Sequence, residues 1–189
     1  MIFEKKMDEQ LEFVKLIASR LDTAGIPYML TGSMAMTIYS LPRMTRDIDM
    51  VIEVQPVDVE KIVRLFSVDC YIDRGAVKEA VRTKGMFNII HNNWVIKADF
   101  IIRKNDIYRR EEFERRKKIN IEDRAISVVT TEDLILSKLV WAQQSQSDLQ
   151  LRDVRQIIVS TTELDRTYMQ KWAVMLGIDG ILKKVMEHE

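Results

Sequence analysis

The sequence predicts an α+β fold, with a small mixed β-sheet toward the N-terminus and a helical bundle toward the C-terminus. Three observations carry this expectation. Short β-like runs, some alternating and some continuously apolar, recur between residues 28 and 129 with helical patterns between them. From Thr131 onward only the three- and four-residue apolar spacing of helices remains. The 189 residues are 47% apolar and 31% charged, with 6 Gly and 3 Pro, which supplies a core and excludes collagen-like, low-complexity and disordered classes. No internal repeat or flexible linker interrupts the chain. The expected division is a sheet core with an N-terminal helix at 1–130 and a helical region at 131–189 packing on it.

Leu11, Val14, Ile17, Ala18 and Leu21 form one apolar stripe, so residues 7–24 read as a helix stopped by Gly25 and Pro27. Tyr28-Met29-Leu30 reads as a short strand running into a Thr31-Gly32-Ser33 turn, with a helix over 33–39 and a loop over 41–46 around Pro42. Residues 47–54 alternate polar and apolar, which makes a strand with Asp47, Asp49, Val51 and Glu53 on one face. Pro56 opens a helix through Phe66, and a shorter one spans 76–83. Phe87–Ile90 and Trp94–Ile102 are β-rich runs joined by His91-Asn92-Asn93, a hairpin pattern. Arg109 to Lys118 reads as a charged helix and Ile126 to Val129 as a last strand. Helices are then expected at 131–146, 149–160, 163–176 and 178–187, the first opened by a capping box of Thr130 and Asp133.

Lys plus Arg and Asp plus Glu each number 29, so a uniformly basic nucleic-acid coat is excluded and a local patch is not. Residues 103–124 hold nine basic and six acidic groups, either a solvated helix laced with ion pairs or an RNA-contacting face. Cys70 is the single cysteine, no apolar run approaches the ~18 residues of a membrane span, and Met1–Lys6 lacks a secretory pattern. The expectation is a soluble cytoplasmic protein. His91, read as a turn residue, and His188 near the terminus argue against a zinc site or a Cys/His catalytic pair. Most methionines, Trp141 and Trp172 are read as core.

The chemistry concentrates on Asp47 and Asp49. Residues i and i+2 of a strand share a face about 6.5 Å apart, and like charges so placed are costly unless a cation sits between them. Mg²⁺ answers that need with carboxylate, water and phosphate ligands. Asp99 lies in an otherwise apolar run, Val95 to Ile102, interrupted only by Lys97. A buried carboxylate requires a partner, and both Lys97 and a shared cation remain open for that role. Gly32 permits close backbone approach to a phosphate, the N–H groups of the following helix point at an anion, and Ser33 adds a hydroxyl.

This order of motifs resembles the nucleotidyltransferase superfamily with the polymerase-beta-like fold: hydrophobic-Gly-Gly/Ser, a spacer of about a dozen residues, Asp-hydrophobic-Asp/Glu, and a third Asp on a later strand. The matching residues are Leu30-Thr31-Gly32-Ser33, Asp47-Ile48-Asp49-Met50 and Asp99. Thr31 departs from the usual apolar residue. The chain is most similar to the small bacterial nucleotidyltransferases that include abortive-infection-type toxins. Arg43-Met44-Thr45-Arg46-Asp47-Ile48-Asp49 resembles their Arg-x-Thr-x-Asp-hydrophobic-Asp element, and Lys97-Ala98-Asp99 their Lys-hydrophobic-Asp element. Thr131 to Leu139, with Lys138, and Arg152-Asp153 resemble a later lysine-bearing helix and the Arg/Lys-Asp that follows it. The likeness spans roughly residues 28–158 and departs at Gln156, where these proteins usually carry a second Asp.

The resemblance implies transfer of an NMP from an NTP such as ATP to an acceptor hydroxyl on RNA, protein or a small molecule. It implies two Mg²⁺ ions held by Asp47, Asp49 and Asp99, the last also assisting the nucleophile. Gly32, Ser33, Arg43 and Lys138 would bind the nucleotide, while Lys97 and Asp153 would orient groups or the acceptor. Arg46 reads as a phosphate contact or a loop charge, and Lys138 as a phosphate contact or a solvent-facing lysine. A toxin with an antitoxin partner, an aminoglycoside-type antibiotic nucleotidyltransferase, and an inactive binding or regulatory protein of the same fold are the alternatives that remain.

Overall fold

A computed structural model describes the backbone of residues 2–40 and 47–187, with side chains from residue 7 onward. Helix α1 (Ile2–Thr23) leads into strand β1 (Tyr28–Thr31), helix α2 (Gly32–Tyr39) and strand β2 (Asp47–Ile52). A 3₁₀ turn at Pro56–Asp58 opens α3 (Val59–Phe66), followed by β3 (Cys70–Ile72), α4 (Arg74–Thr83), β4 (Met86–His91) and β5 (Lys97–Ile102). Next come α5 (Ile107–Glu114), β6 (Lys117–Ile121) and β7 (Arg124–Val128). The chain then continues through α6 (Thr131–Ser145), α7 (Asp148–Ser160), α8 (Arg166–Leu176) and α9 (Asp179–Met186). The expected loop at 41–46 lies outside the described residues.

The strands form one mixed seven-stranded sheet in the order β3-β4-β5-β2-β1-β7-β6. The fold is therefore α+β, as the sequence predicts. β2 runs parallel to β5 and antiparallel to β1, while β1 runs parallel to β7. The alternation of β2 is realised in space: Ile48, Met50 and Ile52 are buried, while Asp47, Asp49 and Val51 are half-buried on the opposite face. Phe100 of β5 anchors the apolar side, packed against Phe66 of α3 at 5.4 Å and Phe87 of β4 at 5.1 Å between ring centroids.

The structure corrects four expectations. The charged helix ends at Glu114, and Lys117 and Lys118 begin strand β6, where Ile119 and Ile121 alternate with polar residues against β7. Lysines on an edge strand discourage pairing with other chains. Trp94 to Ile96 stand in the β4–β5 connection rather than in the strand, because Val95 takes a left-handed conformation (φ 54°) that reverses the chain. His91 is buried, not merely a turn residue: its ring stacks on Trp94 at 4.0 Å, and Nδ1 accepts the Trp94 N–H. Strand β3, absent from the sequence reading, is too short at three residues to show a period.

Helices α6–α9 are tied to the rest through buried polar groups. Thr130 caps α6, its Oγ accepting the Asp133 N–H at 3.3 Å as the capping box predicts. The fully buried Asp133 carboxylate accepts hydrogen bonds from Tyr168 of α8 (2.6 Å), Thr130 (2.6 Å) and Arg115 at the end of α5 (3.1 Å). Glu112 of α5 accepts from Ser137 of α6 and pairs with Arg109, and burial pushes the Glu112 carboxyl above the usual carboxylate range. Among the described residues, no helix is long and apolar enough to cross a membrane.

Asp133 thus joins three elements. Asp133→Ala is expected to cost about 3 kcal/mol of stability by leaving buried donors unpaired, and Tyr168→Phe about 1 kcal/mol. Urea unfolding of both variants checks this; a loss within about 0.5 kcal/mol for Asp133→Ala would show that the junction contributes nothing.

Candidate active site

The parallel register of β2 and β5 sets Asp47 opposite Lys97 and Asp49 opposite Asp99. Four ionisable side chains therefore meet on one face of two strands, neighbours along each strand by the two-residue period and across strands at about 4.8 Å. β1 completes the group, because Thr31 lies opposite Asp49 and the chain turns into α2 at the next residue.

Gly32 is shaped by the acid beside it. Its φ is +65°, and a Cβ there would lie 2.0 Å from Asp49 Oδ2, so only glycine admits the carboxylate. The Ser33 N–H hydrogen-bonds to Asp49. Burial, then the charges of Asp99 and Asp47, push the Asp49 carboxyl up to about 6, against the opposing influence of Lys138 and the Ser33 N–H. The close neighbour of Gly32 among the described residues is thus Asp49, alongside the phosphate approach that this glycine is expected to permit.

Lys97 pairs with Asp99, the first of the two partners expected for that carboxylate. Its Nζ lies 2.9 Å from Asp99 Oδ2 and 3.4 Å from Asp47 Oδ2. Hydrogen bonding to Asp99 leads the influences that hold the Lys97 ammonium above its usual range. Asp99 is only 7% exposed, and its other oxygen, Oδ1, is buried without a hydrogen-bond partner among the described residues.

The solvent-facing reading of Lys138 is overturned. It is 5% exposed, and its Nζ donates to Asp153 Oδ2 at 2.7 Å and Gln150 Oε1 at 3.1 Å, joining α6 to α7. Its positive charge is among the influences that oppose the rise of the Asp49 carboxyl. The signal in the sequence was a lysine inside the apolar run Leu134 to Leu139. Gln150 was missed because nothing in its neighbourhood distinguishes it. Trp141, read as core, is 59% exposed three residues beyond Lys138 on α6, where side chains neighbour one another. Trp172 is buried as expected. Arg43 and Arg46 lie outside the described residues.

The donor chemistry fits a hard divalent cation: three carboxylates on one face, a buried Asp99 oxygen without a partner among the described residues, and an Asp49 whose ionisation is opposed by its neighbours. Among the described residues, no three acidic, histidine or cysteine side chains already converge to hold an ion. The Lys97 ammonium bridges Asp47 and Asp99 instead. A polar recess of about 530 Å³ beside the α7–α8 loop, lined by Lys117, Glu132 and residues 161–166, includes none of these groups.

No family model and no curated protein matches the sequence. Solved structures do match. An antigenic nucleotidyltransferase-like protein from Paracoccidioides brasiliensis superposes with a TM-score of 0.61 at 16% identity, over 95% of this chain and 93% of that one. The antibiotic-resistance factor ANT(2'')-Ia gives 0.56 at 11% identity over 96% and 99%. The lincosamide antibiotic adenylyltransferase LnuA gives 0.52 at 12% identity over 84% and 98%. The chain shares the fold of these structures.

Two outcomes are expected. The raised Asp49 pKa means that its contribution to stability is full below pH 3.8, its ordinary value, and lost as pH rises through about 6. In chelator, the melting temperature of wild type relative to Asp49→Asn should therefore fall between pH 4 and pH 7, a trend that thermal scans at each pH would measure. Lys138→Met should cost about 3 kcal/mol by removing the charge that faces the buried Asp153 carboxylate, whereas Gln143→Ala, which removes only an exposed hydrogen bond to the Gly177 carbonyl, should cost less than about 1 kcal/mol. Urea unfolding of the two variants distinguishes them.

Proposed function

We propose that this chain is a nucleotidyltransferase that moves an NMP from an NTP to an acceptor hydroxyl in a Mg²⁺-dependent reaction. The observation that carries this reading is the register that sets Asp49 beside Asp99, with Asp47 on the same face and the start of α2 against Asp49. The superfamily fold supports it.

Asp47, Asp49 and Asp99 would hold the metal, which supplies charge neutralisation at the attacking and leaving oxygens. Asp99 would also orient the acceptor hydroxyl and accept its proton as the oxygen attacks the α-phosphorus and pyrophosphate leaves. The first turn of α2, with the Ser33 hydroxyl, offers donors to the terminal phosphates. Lys138 adds a fixed positive charge from α6, and Asp153 with Gln150 keeps its ammonium from swinging away. Arg43 is a further phosphate contact in this reading. Residues 1–130 form the catalytic core, and 131–189 supply the opposite wall. NTP use and a free, buried Cys70 suit a cytoplasmic setting.

For the acceptor, a small hydroxyl compound is the reading with support, because the matching structures include an antibiotic-resistance factor and a lincosamide antibiotic adenylyltransferase. Incubation with each α-³²P-labelled NTP, Mg²⁺ and either a panel of hydroxylated antibiotics or total RNA and protein tests both function and acceptor. Labelled small molecules are expected; labelled RNA or protein would shift the reading to a toxin-like enzyme with a macromolecular acceptor. Asp47→Asn and Asp49→Asn should abolish transfer, and Asp99→Ala should lower it by orders of magnitude. Neither labelling nor Mg²⁺-dependent NTP binding would leave a binding protein that keeps the fold without turnover.

A further inference from the structure

Lys97 differs from Lys138 in a way that matters for how the site is filled. Both ammonium groups contact a carboxylate of low exposure, but the Lys138 side chain is 6% exposed and the Lys97 side chain 37%. Lys138 is held by Asp153 and Gln150 on a packed helix. Lys97 sits at the first position of β5, level with Asp47, on a flexible four-carbon stem with a path to solvent.

Asp99 gives Lys97 one oxygen, Oδ2, and keeps the other buried and unpartnered among the described residues. A carboxylate in that state is half satisfied. Without the ammonium it would be a buried charge facing Asp49 across the strand pair, a strongly destabilising arrangement. A divalent cation placed between Asp47 Oδ2 and Asp99 Oδ2, where the ammonium now sits, would meet a like charge at contact distance. Lys97 and a divalent cation therefore cannot occupy that one place together.

Resting on the reading of Asp47, Asp49 and Asp99 as a cation site, we propose that Lys97 is an exchangeable internal counter-ion: it occupies the place between Asp47 and Asp99 in the metal-free protein and must swing out before that place is filled. Lys97 is a positioning residue. It keeps the Asp99 side chain aimed along the face of β5 when no cation is there, and it sets the threshold concentration at which the site loads. The released ammonium stays tethered at the mouth of the site, on the same strand end as Asp47, where it can meet the phosphates that arrive with the nucleotide.

The test uses the full chain without nucleotide, stripped with a chelator and titrated with Mn²⁺, with free Mn²⁺ read by electron paramagnetic resonance. Lys97→Met should bind Mn²⁺ about tenfold more tightly than wild type while melting several degrees lower in chelator. Lys97→Arg, which keeps the charge but grips a carboxylate with two parallel bonds, should fold normally and bind Mn²⁺ more weakly than wild type. Simple long-range repulsion would leave the Arg variant equal to wild type, so that result overturns exchange. Affinities within twofold for all three proteins also overturn it. If wild type and Lys97→Met bind no Mn²⁺, the cation reading itself fails and this inference with it. If wild-type binding is lost in Asp49→Asn but insensitive to position 97, the proposed function stands and only the role of Lys97 falls.

Discussion

The parallel register between β2 and β5 is the constraint on which the rest of the site depends. A slip of one residue would exchange the faces of a strand and carry its acids into the core. What prevents the slip is the other side of the same strands. Ile48, Met50 and Ile52 on β2, and Ala98, Phe100 and Ile102 on β5, are buried together. At roughly 25 cal/mol per Å² of apolar area removed from water, those side chains favour one register over its neighbours by far more than the repulsion among the carboxylates disfavours it. The core thus holds together charges that would otherwise move apart.

A second dependence runs through buried ion pairs between helices. Lys138 with Asp153 joins α6 to α7, and Asp133 with Arg115 and Tyr168 joins α6 to α5 and α8. Such pairs add little net stability compared with apolar packing, but they tolerate no substitute geometry once desolvated. Their effect is orientation. The charge that reaches Asp49 from α6 is held at a defined place because its partner is buried with it.

Legibility in the sequence followed the range of each interaction. The alternating face of β2, the cap at Thr130 and the long helices after Thr131 rest on neighbours a few residues away, and the structure places them as the pattern predicts. The short edge strand β3 depends on β4, beyond the next helix, whereas the left-handed Val95 and the strand at Lys117-Lys118 belong to local hairpins whose turns carry no apolar period. The site divides in the same way. Asp47 and Asp49 were visible as a pair, whereas the distance from Lys97 to both Asp47 and Asp99, and the burial of Lys138 by Asp153 and Gln150, arise only when β5 and α7 are in place. Trp141 carried an apolar signature that could not reveal which side of α6 was covered.

The contact between Gly32 and Asp49 has a consequence for how such a site can be lost over generations. The two positions are not equivalent. Replacing Asp49 by a smaller side chain leaves Gly32 with room and no clash. Replacing Gly32 while Asp49 remains drives a new Cβ into a carboxylate oxygen and strains a backbone already at φ +65°. Drift away from activity therefore has a permitted order, acid first and glycine afterwards. A descendant caught midway would keep the glycine at the head of α2 as a fossil of a carboxylate no longer there.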